Sequence, residues 1–547
     1  MSVGAVADTA RPPQVSVGSG LGVKNPAVPI LAGLTVLAAG LRFTRIGHQS
    51  FWYDESFTAL LVHHSPGGIL GLVPRTELTP PLYYLVAWAW ARIFGYGEAG
   101  LRSLSALAGV ATIPAIYGVG AKLISRRVGL AAAALACCSP LLIWYSQEAR
   151  SYALLMLFAT LSLLAFAHAR LPPPTPRRLG AWALAAGATV ATHYYGVLIV
   201  VPESLWLLWV HRGNPKVLLA VAAVGGLGLG LLPMALSQRP QASWIAPWRL
   251  DLRLGQIASQ YLIGTGAPGR TWLELAGAAA VLLAAVMLAR GADARERHGA
   301  ILAGALAASG LLLSLALLLA GIDELIARNT IVVLIPLIVL VSGGLGARRA
   351  GWLGLAGVAS LCTVGLIASI SVATDPRFQR PDWRALARTI GSSPPTRVGR
   401  AILIQRYVFL MPLALDMPGL RFIKARGARV NELDVVAFSV PSGGWFCWWG
   451  SACNLLPSTL DMAIHVPGFH RDGAVLRVKQ FSILRLRSAR TVRLTPRLVA
   501  RAIARAPVKA GQPARADLPP GFGPPYGYAL LAQPPASASS RARPQRG

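Results

Sequence analysis

Phe51-Trp52-Tyr53-Asp54-Glu55-Ser56-Phe57 places two adjacent carboxylates inside an aromatic cluster, a few residues after the first long apolar run, 26–43. Carboxylates near a bilayer are costly and tend to be kept for substrate, ion or proton work. The plainer reading of the same seven residues is an aromatic belt at the membrane–water boundary with two solvated acids. The rest of the chain decides between them.

The chain has 547 residues, is 54% hydrophobic and only 13% charged, and has a mean hydropathy of +0.53. Apolar runs near the ~20-residue length of a bilayer crossing recur from residue 25 to residue 372. The composition is that of a polytopic α-helical membrane protein. The net charge of +31 comes mostly from Arg, partly in short loops and largely after residue 375. Cys137, Cys138 and Cys362 lie in apolar runs and read as small core residues. Cys447 and Cys453 lie in the polar C-terminal part and are expected to form a disulfide if that part is outside the cytoplasm. Residues 1–24 lack a charged start followed by an apolar segment, so they read as a disordered cytoplasmic tail rather than a cleavable signal.

Basic clusters set the orientation. Arg126-Arg127, Arg177-Arg178, His211-Arg212 with Lys216, Arg295 with Arg297, and Arg348-Arg349 fall at alternate junctions between apolar runs. They are placed in the cytoplasm. The other junctions then lie outside: the loop 45–80 with Asp54-Glu55, the stretch Gln147-Glu148-Ala149-Arg150, His193, the loop 237–271, and Asp323 to Arg328. Residues 81–95 (PLYYLVAWAWARIFG) are apolar but short, and a crossing there would invert every later loop. Read as an interfacial or re-entrant helix, the segment leaves eleven spans, with the N-terminus inside and the C-terminal domain outside. Read as a span, it makes twelve. In either case the transmembrane domain covers 25–374.

After Thr374 the character changes. Residues 375–382 form a polar linker into a helix expected over 383–390. Residues 401–404, 421–423, 435–440 and 475–486 read as strands, and Leu484-Arg485-Leu486-Arg487 alternates as a half-buried strand does. Residues 375–505 are therefore expected to form a small extracytoplasmic α/β domain. Residues 491–505 suit a basic amphipathic helix, either solvated or resting on lipid headgroups. The Pro, Ala, Arg and Ser-rich segment 506–547 is expected to be a disordered tail. No nucleic-acid partner is expected, because the basic domain is placed outside the cell.

Several motifs fall into an ordered series. They are Trp52-Tyr53-Asp54-Glu55, Thr79-Pro80-Pro81-Leu82-Tyr83-Tyr84, and Glu98 with Arg102 and Ser105-Ala106-Leu107. Then come Ser139-Pro140, Tyr145-Ser146-Gln147-Glu148-Ala149-Arg150-Ser151-Tyr152, Thr192-His193-Tyr194-Tyr195-Gly196, and Arg328-Asn329. This series, over roughly residues 28–390, resembles the family 39 glycosyltransferases of the GT-C superfamily, relatives of protein O-mannosyltransferases and lipid A aminoarabinose transferases. It departs from the family at Thr79, where His is common, so that residue's role is not carried over.

The resemblance implies a GT-C type membrane fold at the cytoplasmic (inner) membrane. It implies inverting transfer of a sugar from a polyprenyl-phosphate donor to an acceptor hydroxyl on a lipid, polysaccharide or protein. Such a displacement needs one base for the acceptor proton and no carboxylate nucleophile. Asp54 is the candidate base, with Glu55 as a neighbour that tunes it. Arg328 is the candidate phosphate ligand, since Arg can bridge phosphate oxygens; pairing with Asp323 or Glu324 is its alternative. Arg102 and Arg150 are rival phosphate ligands, or partners of Glu98 and Glu148. Glu148 is expected to position sugar or acceptor, or to act as a second acid. Tyr83 and His193 are further substrate-contact candidates. The cofactor stays unknown. A divalent cation would draw on Asp54, Glu55 and Glu148, with His193 beside them, but no dedicated ligand spacing is present. The competing reading is a transporter or lipid flippase of envelope intermediates, which would place its charges near the midplane of matching halves. Here they gather at one face.

Overall fold

The computed structural model describes residues 26–242, 245–246, 248–391, 398–438, 464–505 and 528–535. Cys447 and Cys453, and with them the expected disulfide, lie outside the described residues, as does the tail 1–24.

The chain opens with α1 (Ala27–Phe43) and then enters what reads in sequence as one loop, 45–80. That loop folds into α2 (Tyr53–Leu61) and α3 (Pro66–Thr76), which pack with α4 (Leu82–Phe94) around Ile69, Val73, Tyr83, Tyr84 and Ala87. At 13 residues α4 is about 20 Å long, short of a ~30 Å hydrocarbon core. The bundle continues through α5 (Glu98–Leu123), α6 (Arg126–Cys138), α7 (Pro140–Ser146), α8 (Tyr152–Ala169), α9 (Pro176–Thr192), α10 (Val197–Val210) and α11 (Pro215–Gln238). It ends with α12 (Leu250–Ile263), α13 (Arg270–Gly291), α14 (Ala294–Leu319), α15 (Leu334–Leu345) and α16 (Gly351–Thr374). Many starts are written in the residue types: Ser65, Ser125, Ser139, Thr175 and Asn214 each accept a first-turn amide, and four of the five are followed by Pro.

The molecule is a polytopic helical membrane protein. Among the described residues, six helices are long and apolar enough to cross a bilayer: α5, α8, α11, α13, α14 and α16. The eleven or twelve apolar runs are more numerous because several fold short or broken. α1, α4, the segment 194–210 and the segment 331–345 are shorter apolar helices. α6 and α7 make a further span only as a pair bent by 59°. The bend is chemical. Pro140 has no N–H to continue α6, so carbonyls at its end are freed. Arg42 of α1, fully buried, donates to Ala136 O (3.1 Å) and Cys137 O (3.2 Å), and its Nε to Ser146 Oγ (3.2 Å). Gly109 makes room: a Cβ there would lie 2.0 Å from Ser146 Oγ and 2.9 Å from Arg42 Nε. Deeper in the bundle, Glu203 of α10 accepts hydrogen bonds from Ser162 of α8 (2.5 Å) and Trp182 of α9 (2.9 Å).

Beyond α16 comes the expected sheet-containing domain. Its first helix, α17, spans Trp383–Ile390, and β1 (Gly399–Gln405) leads into α18 (Arg406–Asp416). Then follow β2 (Arg421–Phe422), β3 (Ala428–Phe438), β4 (His470–Arg471), β5 (Leu476–Val478), β6 (Phe481–Leu494), α19 (Pro496–Arg505) and β7 (Tyr528–Gln533). The order across the sheet is β2-β7-β1-β3-β6-β4, with β5 on β6; β1 and β3 are parallel. Here the tail expectation is corrected. Residues 528–533 leave the low-complexity segment and pair with β1, because Ala529-Leu530-Leu531 is a buried apolar run. α17 and α18 cover one face around Trp383, Ile402, Val436 and Phe481. α19 covers the other: its apolar side chains Val499, Ala502 and Ile503 pack on Leu403, Leu433 and Leu484.

Gly109→Ala is expected to lower thermal stability in detergent by about 1–3 kcal/mol through overpacking. Gly226→Ala, where a Cβ meets nothing within 4 Å, should leave the melting temperature unchanged or raise it. Equal melting of both variants would remove the close approach at Arg42.

Candidate active site

Four carboxylates gather where the first-loop helices meet one end of α5, α8 and α16, and each meets one arginine. Glu55 pairs with Arg102 (2.6 Å), Glu77 with Arg150 (2.7 Å), Asp54 with Arg328 (2.9 Å) and Glu148 with Arg380 (3.0 Å).

Asp54 and Glu55 occupy the first turn of α2, where the helix dipole favours negative charge. Their surroundings differ. Glu55 is fully buried. Its oxygens accept Arg102 Nε (2.7 Å) and Nη2 (2.6 Å), the Ala149 amide (2.7 Å) and the Trp52 amide (3.3 Å). Burial alone would raise it, but the charge and hydrogen bonds of Arg102, with Arg380 and the Ala149 amide, hold its carboxyl below the ordinary value. Glu55 is thus a structural anion, and the expectation of a role in catalysis or metal binding does not fit it. Arg102 is no phosphate ligand either. Its remaining donors go to the carbonyls of Ile46 (3.0 Å), Gln49 (2.6 Å) and Ser50 (3.0 Å), so all its N–H groups are engaged. Tyr83 is fully buried and edge-on to Tyr84.

Asp54 is different. Its Oδ2 accepts Arg328 Nη1 at 2.9 Å, and Oδ1 accepts no hydrogen bond among the described residues. Its side chain is 18% exposed and that of Arg328 19%, against 0% or 1% for the carboxylates of Glu55, Glu77 and Glu148. Arg328 does not pair with Asp323 or Glu324, because both are engaged elsewhere. Asp323 takes a two-pronged contact from Arg253 (2.5 and 2.9 Å), and Glu324 accepts from Tyr195 Oη (3.0 Å). Tyr261 adds hydrogen bonds to Thr330. Arg253 and Tyr261 belong to α12, so the loop 237–271 pins the loop that carries Arg328.

Arg150 donates to Glu77 and to the Asp54 carbonyl (3.1 Å), which holds the start of α2 in place. Glu77 also accepts from Tyr84 Oη (2.6 Å), which bonds Thr79 (2.9 Å). Burial holds Glu77 above its ordinary value in spite of Arg150. Glu148 is fully buried, and burial with the nearby charges of Glu55 and Asp54 outweighs Arg380 and pushes it up to about 7. His193 is buried. Its Nδ1 accepts the Tyr195 amide (3.2 Å), which leaves the ring hydrogen on Nε2. Burial and the charges of Arg150 and Arg328 push it down to about 3, so it is neutral and not a proton acceptor near pH 7. Its ring continues a file with Tyr145, Tyr152 and Tyr195, centroids 4.5–5.8 Å apart.

The structure therefore brings Asp54, Glu148, Arg150, His193 and Arg328 together, and ties Glu55 and Arg102 into the framework. Reading the sequence missed Glu77 and Arg380. Glu77 was one polar residue in a polar loop, and Arg380 stood in a linker with no motif. Among the described residues no three His, Cys, Asp or Glu side chains stand together as a metal site. The three candidate carboxylates each face an arginine instead, and their donor set does not fit a cation.

Arg380 also stacks over Trp144, 4.0 Å from the ring centroid. Arg380→Ala leaves Glu148 buried without its cation and should cost about 3–5 kcal/mol. The titration of Glu148 has a defined sign. Its folded value of about 7 lies above the ordinary 4.5, so the folded chain holds an extra proton between them. That stabilisation is present at acid pH and is lost as pH rises through about 7. Wild type should therefore lose melting temperature relative to Glu148→Gln from about pH 5 to about pH 8. Parallel curves would show that Glu148 stays ionised.

Residues 79–237 match the family described as dolichyl-phosphate-mannose-protein mannosyltransferase. No curated protein matches the chain. Among solved structures, the S. cerevisiae protein O-mannosyltransferase Pmt1-Pmt2 complex is 18% identical over 40% of this chain, with a TM-score of 0.31. The chain spans 33% of that protein's length. ArnT from Cupriavidus metallidurans is 13% identical, covers 84% of this chain and 98% of its own, and has a TM-score of 0.48. The Archaeoglobus fulgidus oligosaccharyltransferase is 13% identical, with coverages of 74% and 67% and a TM-score of 0.40. The segment holding Pro80-Pro81-Leu82-Tyr83-Tyr84, Glu148-Ala149-Arg150 and His193 thus carries the mannosyltransferase family's pattern, which bears out the resemblance to GT-C glycosyltransferases that the ordered motifs suggest.

Proposed function

We propose that the protein is an inverting glycosyltransferase that moves a sugar from a polyprenyl-phosphate donor to an acceptor hydroxyl at the outer face of the cytoplasmic membrane. The observation that carries the reading is the exposure of one pair. Of the four carboxylates gathered here, Asp54 alone is reachable from solvent, and it lies against an equally reachable arginine. A base and a phosphate ligand side by side are what this displacement needs. The acceptor oxygen attacks the anomeric carbon and its proton passes to Asp54. The bond from that carbon to the phosphate oxygen breaks, the electron pair leaves on the phosphate, and Arg328 meets the charge. Phe51, Trp52 and Tyr53 flank the carboxylate in the chain, and aromatic faces suit a sugar ring. A transporter would need its charged groups at the centre of the bundle. Here they stand at one end of it, and three of the four carboxylates are locked.

The test uses membranes holding the full chain, radiolabelled polyprenyl-phosphate sugars, and wild type beside Asp54→Asn. Asn keeps the shape and the backbone grips of Arg150, so expression and melting should be normal. Transfer should fall by at least ~100-fold, the usual contribution of a positioned base. Transfer at the wild-type rate would remove Asp54 as the base. If wild type consumes no polyprenyl-linked sugar, the whole reading fails.

A further inference from the structure

Charge is distributed unevenly along the β3–β6 ladder. At one end the strands are apolar, and Phe481 packs on Trp383 of α17 with ring centroids 4.8 Å apart. In the middle, Glu432 and Asp434 are buried among Arg400, Arg485 and Arg487. At the far end Arg429 stands directly across from Arg493. Like charges in opposed positions destabilise a sheet. Neither makes an ion pair among the described residues. Lys424 and Arg426 sit on the turn that enters β3, and Gly427 presses that turn onto the β6–α19 junction. A Cβ there would lie 2.7 Å from Leu494 O, and its φ of +76° suits glycine. Arg497 opens α19 just beyond. All five side chains are exposed, and residues 424–430 and 488–499 contain no Asp or Glu.

We propose that this tip is a binding surface for a linear polyanion carrying phosphate groups. Five cations spread over a turn, two strands and a helix start are too dispersed for one small anion, and a chain of phosphates would meet them in series. A bilayer surface is the poorer fit. Within these two segments no large apolar side chain is exposed, because Val499, Ala502 and Ile503 are packed on the sheet. The tip also stands roughly 30 Å along β3 from the strand end that meets α17. α18, which follows β1 at that same end, packs on α2 of the membrane part.

The test uses the full chain in nanodiscs of neutral lipid and fluorescent inorganic polyphosphate, with affinity measured across a salt series. Binding should weaken steeply with salt, as counterion release requires. Arg426→Ala, Arg429→Ala, Arg493→Ala and Arg497→Ala combined should weaken it at least about tenfold. The same four positions changed to Lys should retain binding. So should a control with four alanines at Arg126, Arg127, Arg177 and Arg178, which removes equal charge elsewhere. Wild-type affinity in the tip variant, or equal loss in the control, overturns the proposal. So does capture by phosphatidylglycerol vesicles, lost in the tip variant, with no binding of polyphosphate; that result would assign the tip to the bilayer.

Discussion

Arg102 projects from α5 into the first loop and uses every N–H it has: a two-pronged contact with Glu55 and three backbone carbonyls between Ile46 and Ser50. Both members of the pair are fully buried, and neither could be lost alone without leaving an uncompensated charge. Through this contact the path of residues 46–55 is tied to a membrane helix. The Ala149 amide joins the same carboxylate, so the turn between α7 and α8 is tied to it as well. Asp54 is the next residue along. Its position is set by a neighbour that does no chemistry.

The same logic extends to the C-terminal domain, which is stitched to the site rather than hung from it. Ser50 donates to Pro381 O and accepts the Trp383 amide, Gln49 accepts the Arg380 amide, and Arg384 donates to the carbonyls of Gly47 and His48. Gln480, in the turn between β5 and β6, bonds Pro376 O and the Asp382 amide. Arg380 enters the site from this linker. A domain that is separate in sequence thus supplies one of the four arginines.

Much of this was legible in the residues, and for stated reasons. Apolar runs and alternate basic junctions carry the membrane class. The breaks at Asp375-Pro376 and Pro381-Asp382 mark the domain boundary, and α17 follows where expected because Asp382 caps it. Asp54, Glu148, Arg150, His193 and Arg328 were recoverable because they lie in motifs at one set of junctions. What could not be read was pairing. Two adjacent acids look alike in sequence, yet one turn of α2 points Glu55 into the framework and leaves Asp54 at the surface. Arg102 and Arg328 look alike too, and only the fold shows that one is saturated. The strand at 528–533 was hidden by its low-complexity surroundings, and α12 by a loop with no periodicity of its own.

The arrangement has a consequence for how donor and acceptor would meet on the proposed reading. Four carboxylates and four arginines leave the cluster near neutrality, so a phosphate that enters adds charge nothing there already balances. Three pairs are sealed from water, and opening one would strand a charge in a low-dielectric interior. The Asp54–Arg328 pair is partly exposed, and opening it costs less. A phosphate would therefore draw Arg328 away from Asp54 rather than disturb the others. That movement leaves the Asp54 oxygens open to the acceptor hydroxyl only when the donor is in place. α12 holds the loop below Arg328 through Asp323 and Thr330, so the guanidinium turns on a fixed base. The order of events then follows from which ion pair is the weakest.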